Sequence, residues 1–287
     1  MIVIRLRSGL GNQMFQYAFF LQMQQWYGKE NVKLDIDTYH WKVHNGRELE
    51  KVFDIDLRKD AAPVSLSLQM ADVGYRVKDR ILRRLRGKRH HCYKFWKKIA
   101  YEDYWHLPDD IYLEGYWNEE CYFCDVAEQV CSSYQFAEPR DDTNKKYLSQ
   151  ITNSCSVGIH VRRGDYKKYS KSFPMCPVEY YQKAVNLIEA ENTGQKLLFF
   201  VFSDEIKWCK KNLSFLKNVQ FVDHNIKTDS YKDMMLLAAC KHQIIANSTF
   251  SWWAAWLNPN PDKIVVYPST TRLTYASMPP AWKCISV

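Results

Sequence analysis

The spacing of hydrophobic and polar positions along the chain changes in a way that marks alternating strands and helices. Ile2-Val3-Ile4-Arg5-Leu6 opens the chain as a short apolar strand, and a polar, glycine-containing turn follows at 7–13. The apolar positions from Met14 to Tyr27 predict a helix that ends near Gly28. Val32–Ile36 reads as a second strand, so the chain begins with a βαβ unit of a parallel sheet. The stretch 40–150 is less regular; it contains the aromatic run Leu113-Glu114-Gly115-Tyr116-Trp117 and, at Glu138–Asn144, the composition of a linker. Clear alternation then resumes. Strands are predicted at Ser156–Val161, Lys196–Phe202, 219–222, Gln243–Ala246 and Lys263–Tyr267, and helices from Pro177 to Glu191, at 205–212, at 230–240 and at Phe250–Leu257. The pattern predicts two α/β halves, residues 1–150 and 151–287, without internal repeats.

At 287 residues there is room for one large domain or two of ordinary size. Hydrophobic residues make up 46% and charged residues 25%, as in a soluble globular protein. Aromatics reach 15%, which fits either flat platforms for sugar rings or an aromatic core. No apolar run reaches the roughly 18 residues of a membrane span. The N-terminus starts directly as a strand and lacks the charged head and apolar middle of a signal peptide, so a cytoplasmic location is expected. Nine irregularly spaced cysteines read as thiols rather than a disulfide framework, and Cys121-x-x-Cys124 has no second pair at zinc-site spacing.

Charge adds one feature. The formal charge is +8, but residues 76–98 alone hold eleven Lys/Arg against one Asp. The rest of the chain is therefore slightly acidic. The basic segment suits an anionic membrane surface, nucleic acid, or simply solvent.

Four stretches carry candidate chemistry, three of them at the carboxyl ends of predicted strands, where open parallel sheets bind ligands. Arg7-Ser8-Gly9-Leu10-Gly11-Asn12-Gln13 joins a strand to a helix; its glycines allow close approach, and the helix start suits an anion. It lacks the third glycine of a dinucleotide fingerprint and the Gly-Lys-Ser/Thr of a P-loop. In Gly158-Ile159-His160-Val161-Arg162-Arg163-Gly164-Asp165-Tyr166, alternation puts His160 and Arg162 on one face. Guanidinium groups match phosphate oxygens and would offset charge on a leaving diphosphate. Asp165 is either an ion-pair partner or a base for an acceptor hydroxyl. Asp204, ending Phe202-Ser203-Asp204, either receives hydrogen bonds from a base or ribose or caps the next helix. Asn247-Ser248-Thr249-Phe250-Ser251 places hydroxyls at a helix start, a natural phosphate cradle, while Trp252, Trp253 and Trp256 have the spacing of core residues. The triplets Asp35-Ile36-Asp37 and Asp54-Ile55-Asp56 either hold a divalent cation or mark turns.

Several of these segments together resemble family 11 glycosyltransferases, the α-1,2-fucosyltransferases. The resemblance rests on Gly9-Leu10-Gly11-Asn12-Gln13-Met14-Phe15-Gln16-Tyr17-Ala18, on His160 to Tyr166, and on the stretch from Asp233 through His242 to Leu257, with Leu113–Trp117 and Phe202–Asp204 in support. It spans nearly the whole chain and is weakest at 40–110. It implies a GT-B-like α/β fold, with two Rossmann-like halves facing across a cleft, the first on the acceptor side and the second holding donor. It implies inverting transfer of L-fucose from GDP-β-L-fucose to the 2-hydroxyl of a galactose-containing oligosaccharide or lipid-linked glycan. Neither metal nor cofactor is implied, and GDP-fucose is a substrate. By the resemblance, His160, Arg162 and Arg163 contact donor, Asp204 holds guanine or ribose, and Asn247, Ser248, Thr249, Phe250 and Ser251 hold the phosphates. Gly11, Asn12 and Gln13 reach the β-phosphate and fucose. Catalysis is expected from Arg162, Asp165 and Asn12. A surface polysaccharide built on a lipid carrier would place the enzyme at the inner face of a membrane, with 76–98 against it and no nucleic-acid partner. Two rivals stay open: another GDP-sugar or acceptor position, and a non-catalytic glycan- or nucleic-acid-binding protein.

Overall fold

The computed structural model describes residues 1–37, 45–70, 91–94, 101–107, 110–167, 174–269 and 278–287. The basic segment 76–98 lies outside them apart from His91–Lys94. The chain divides into two compact units, Met1–Gln135 and Phe136–Val287. The division falls before residue 150 because the presumed linker belongs to the second unit. Asp141 caps a helix at Asp142–Thr152, its carboxylate accepting from the Asn144 amide at 2.8 Å. Asn144 in turn exchanges side-chain hydrogen bonds with Asn225 at 2.9 and 3.0 Å, and Lys232 reaches Asp141 at 3.2 Å.

The first unit contains a parallel sheet of β1 (Ile2–Arg5), β2 (Val32–Asp35), β3 (His91–Lys94) and β4 (Ile111–Glu114), in the order β2-β1-β4-β3. β1 is buried along its whole length, as expected of a central parallel strand covered on both faces. α1 (Leu10–Tyr27) is buried at thirteen of its eighteen positions, so apolar periodicity marks it poorly. Four of the buried positions are glutamines, and each is bonded to a neighbouring segment. The helix begins four residues before Met14, which puts Gly11, Asn12 and Gln13 inside its first turn.

The second unit is a six-stranded parallel sheet. Its strands are β5 (Cys155–Val161), β6 (Leu197–Ser203), β7 (Val219–Val222), β8 (His242–Ile244), β9 (Val265–Pro268) and β10 (Lys283–Ile285). The order is β10-β9-β8-β5-β6-β7. In chain order that is 6-5-4-1-2-3, the doubly wound arrangement of a dinucleotide-binding sheet. Strand order reverses between β5 and β8. β10, three half-polar residues long, carries too little pattern to be seen in the sequence. Gly158 lets a helix close on β5: a Cβ there would stand 2.5 Å from Leu237 Cδ1. The two sheets and their helices place the chain in the α/β, GT-B-like class. Among the described residues no helix is long and apolar enough to cross a membrane.

Candidate active site

The second unit brings its predicted residues together at the reversal of strand order. His160 and Val161 end β5, Ser203 ends β6, and Asn247 and Ser248 follow β8. The His160 ring is buried and lies 5.3 Å from the Phe250 ring. Burial pushes its pKa well down, and the Arg162 charge adds to this, so the imidazole is neutral. A neutral imidazole offers one donor and one acceptor, and His160 Nδ1 has no hydrogen-bond partner among the described residues.

Arg162 is held from two sides. Its Nη1 lies 2.9 Å from Asp204 Oδ2, and its guanidinium carbon sits 5.5 Å above the Tyr166 ring. The Tyr166 hydroxyl donates to the Asn247 carbonyl at 2.8 Å, tying the turn after β5 to the loop after β8. With 29% of its side chain exposed, Arg162 can still meet a ligand. Asp204 Oδ1 accepts from the Arg163 amide at 3.0 Å. Both carboxylate oxygens of Asp204 are therefore engaged by the basic motif. The next helix is not capped by Asp204; Ser203 Oγ accepts from the Glu205 amide instead. This geometry makes Asp204 the group that positions Arg162. Gly164 is tight against it: a Cβ would stand 2.8 Å from Asp204 Oδ2. Gly164→Ala is expected to push Asp204 off Arg162 and weaken GDP binding about tenfold, with the melting temperature nearly unchanged. Calorimetric titration with GDP beside a thermal melt checks this.

Arg163 takes a different place. Its guanidinium carbon is 3.9 Å from the Trp208 ring centre, and Nε lies 3.3 Å from Glu205 Oε2, while Lys167 pairs with the same Glu205 carboxylate. These contacts make Arg163 a brace of the turn. Asp165 begins the short turn Asp165–Lys167, but its side chain is outside the described residues.

In the loop after β8, Ser248 is an N-cap whose Oγ accepts from the Phe250 amide at 3.3 Å. Ser251 is fully buried, and its hydroxyl lies 3.4 Å from the Ala246 and Ser248 carbonyls. Asn247 is buried. Thr249 and Phe250 are the half-buried members of this cradle, which thus presents less surface to a phosphate than its hydroxyl count suggests. Trp252 and Trp253 are fully buried, as their spacing predicts.

The glycine-rich loop of the first unit differs more from expectation. The anion at the start of α1 is the chain's own Glu48: its Oε2 accepts from the Leu10 amide at 3.1 Å. Gln13 is fully buried, donating to the Ser8 and Gly46 carbonyls at 2.8 and 2.9 Å and accepting from the Glu48 amide at 2.9 Å. Gly11 is buried beside it. Gln13 and Gly11 therefore help to build the loop. Asn12 is half-buried, its Nδ2 donating to Ser8 Oγ at 3.1 Å. Glu48 lies in a weakly patterned stretch and carries no local signal of this role.

The Asp-x-Asp triplets are engaged in structure. Asp35 is buried and accepts from the Tyr112 hydroxyl at 2.5 Å; Asp37 pairs with Arg58 at 2.8 Å; Asp56 accepts from the Arg58 amide at 3.1 Å. Among the described residues no three His, Cys, Asp or Glu side chains gather as a metal site. Cys121 is a free thiol raised to about 11, chiefly by burial.

Asp233 carries no sequence signal beyond its motif. It is a half-buried carboxyl, raised to about 7 by desolvation, whose Oδ1 accepts from Asn225 Nδ2 at 2.8 Å. The unfolded chain loses this proton near 3.9. Between that value and about 7 the fold holds more proton than the unfolded chain, so this contribution to stability falls as pH rises. Burial lowers His242 to about 4, which acts with the opposite sign below about 6.5. Asp233→Asn keeps the acceptor oxygen and leaves the histidines alone. Its stability relative to the parent protein is expected to improve from about pH 4 to about pH 8 in urea unfolding. An equal difference at both pH values would remove the account of a carboxyl raised by desolvation.

Comparison with known proteins finds relatives over most of the chain. An alpha-1,2-colitosyltransferase of Escherichia coli is 31% identical over 267 residues, covering 89% of this chain and 87% of the relative. The O-antigen biosynthesis glycosyltransferase WbnK of Escherichia coli is 30% identical over 288 residues, 92% of each chain. A galactoside 2-alpha-L-fucosyltransferase SEC1 of Bos taurus is 28% identical over 166 residues, 54% of this chain and 45% of the relative. Among solved structures, the fucosyltransferase NodZ from Bradyrhizobium superposes with a TM-score of 0.56 at 14% identity, covering 90% of this chain and 92% of NodZ, a likeness of fold. The model of glycosyl transferase family 11 matches residues 1–277, and the chain belongs to that family.

Proposed function

We propose that the protein transfers L-fucose from GDP-β-L-fucose to the 2-hydroxyl of a galactose-containing glycan, with inversion and without a metal ion. The observation that carries this reading is Arg162, anchored on Asp204 and Tyr166 beside the neutral His160 at the strand-order reversal of a nucleotide-binding type of sheet. Membership of a family that includes galactoside fucosyltransferases supports it.

In this mechanism the acceptor hydroxyl attacks the anomeric carbon on the face opposite the diphosphate, through a transition state of oxocarbenium character. The bond to GDP breaks as the new glycosidic bond forms, and the diphosphate gains negative charge. Arg162 faces that charge, already oriented, so no reorganisation is needed at the moment of reaction. His160 bonds the guanine edge or the diphosphate, and Thr249 and Phe250 line the phosphate turn. Asp165 takes the acceptor proton.

A second reading has a specific observation in its favour, the similarity to a colitosyltransferase. Colitose is fucose without its 3-hydroxyl, so the two donors share every contact to GDP. A side-by-side turnover assay with GDP-fucose, GDP-colitose and GDP-mannose separates them. Preference for GDP-fucose supports the first reading; preference for GDP-colitose keeps the site and changes the sugar.

The basic segment 76–98 is proposed to rest on an anionic membrane that carries a lipid-linked acceptor. Salt-sensitive sedimentation with phosphatidylglycerol vesicles, absent with phosphatidylcholine, is the expected outcome.

A further inference from the structure

A pair of stacked indoles on the first unit takes no part in the Arg162 site. Trp105, in the short helix Tyr101–His106, is 49% exposed, and its ring centre lies 4.1 Å from that of Trp26 with 30° between the planes. Trp26 stands in the last turn of α1. Because α1 joins the parallel strands β1 and β2, it runs back along the sheet, and its last turn lies at the amino ends of these strands. The Ile2 amide accordingly donates to the Asn31 carbonyl at 2.7 Å. Open parallel sheets take ligands beyond their carboxyl ends, so the indole pair sits at the other end of this sheet.

A single exposed indole is ordinary on a protein surface. This one is braced. The Trp26 indole N–H donates to Asp125 Oδ2 at 3.1 Å, and the same oxygen accepts from the buried Gln22 of α1 at 2.9 Å. The Asp125 amide donates back to Gln22 Oε1 at 3.1 Å. The Tyr27 hydroxyl donates to the Tyr104 carbonyl at 2.6 Å and accepts from the Leu107 amide at 3.0 Å, so one side chain beside Trp26 ties the backbone on both sides of Trp105. Tyr104 itself is buried, with its ring edge-on to Phe19 at 5.1 Å. The two indoles are thus ordered before any ligand arrives, which lowers the entropic cost of binding.

Size and charge select the ligand. Half of one indole offers roughly 100 Å², far below the about 800 Å² that each partner gives to a stable protein interface. That area suits one sugar ring, whose C–H face packs on a flat apolar surface while its hydroxyls meet polar groups at the edge. The charged neighbours are mostly acidic. Asp125 holds Trp26, Asp103 is exposed two residues before Trp105, and Glu30 is exposed in the turn after α1, beside the cation Lys29. A phosphate or an anionic lipid would meet these carboxylates, whereas a neutral sugar hydroxyl can donate to them.

We propose that Trp105, stacked on Trp26, is a glycan-binding platform apart from the transfer site, taking one neutral hexopyranose ring of a longer glycan. This rests on the glycosyl-transfer reading above: an enzyme that holds its glycan between turnovers keeps the next acceptor end at high local concentration. The test is fluorine NMR of the full chain labelled with fluorotryptophan, the Trp105 resonance being the one that Trp105→Phe lacks. Lactose, N-acetylglucosamine and methyl α-fucoside are each titrated to tens of millimolar without donor. At least one is expected to shift the Trp105 resonance saturably. Trp26→Leu, which removes the stacked partner, should weaken that binding about fivefold. The remaining tryptophan resonances report whether Trp26→Leu is folded; if it is not, the titration of the parent protein decides alone. No shift with any of the three sugars overturns the platform. So does a Trp105 shift caused instead by phosphatidylglycerol vesicles, or by raising the protein concentration, which would mark a bilayer or self-association contact. GDP-fucose turnover is assayed on the same protein. Turnover without a Trp105 response overturns the platform alone; a Trp105 response without turnover keeps the platform and overturns the transfer reading.

Discussion

Turnover by Arg162→Ala is expected to fall about 10²–10³-fold, the range seen when one preorganised donor to a developing negative charge is removed. The loss should appear in kcat more than in the GDP-fucose KM, because the diphosphate carries more charge in the transition state than in the bound donor. Asp204→Asn should show a smaller loss of the same kind, since the guanidinium remains but its anchor at 2.9 Å is weakened. The double variant should be little worse than Arg162→Ala alone, because Asp204 acts through Arg162. Additive losses would mean that Asp204 has a contact of its own with the donor. Single-turnover measurements with saturating acceptor separate these outcomes from slow product release.

Gln16→Leu is the second large effect, and it is structural. Leucine has nearly the same volume but leaves the Arg7 amide and the Gly115 carbonyl without the partners that Gln16 provides at 2.8 and 2.9 Å. Two buried polar groups each left unpaired cost roughly 1–3 kcal/mol, a large part of a typical domain's stability. Urea unfolding should show the midpoint shifted strongly downward. Gln16→Glu retains an acceptor for the Arg7 amide and should fall between the two. A Gln16→Leu protein as stable as the parent would mean that the two loops find other partners.

The second unit was legible because its strands are long, apolar runs such as Leu197–Phe202, bounded by turns. The chemistry-bearing turns sit at their ends by rule, so the sequence alone marks His160, Arg162 and Ser248. Their individual roles could not. Nothing in His160 to Tyr166 says that Arg163 turns onto Trp208 while Arg162 meets Asp204, because both partners come from a segment forty residues on. The first unit was less legible for a physical reason. α1 is covered on nearly all sides, its buried positions include glutamines, and a binary pattern reads those as solvent-facing. The glycine-rich loop looked like an anion site by its local geometry, which was correct as physics. The anion there is Glu48, supplied from a stretch with no periodicity. β4 was seen only as an aromatic run because four residues are too few to set a period.

The most direct test of the central claim is release of GDP from GDP-fucose, with EDTA present, across a panel of galactose-ending acceptors, with the product linkage read by NMR. The account predicts acceptor-dependent release and an α-1,2-linked fucose on galactose. Release that needs a divalent cation, a different linkage, or no release from GDP-fucose with any acceptor would contradict it.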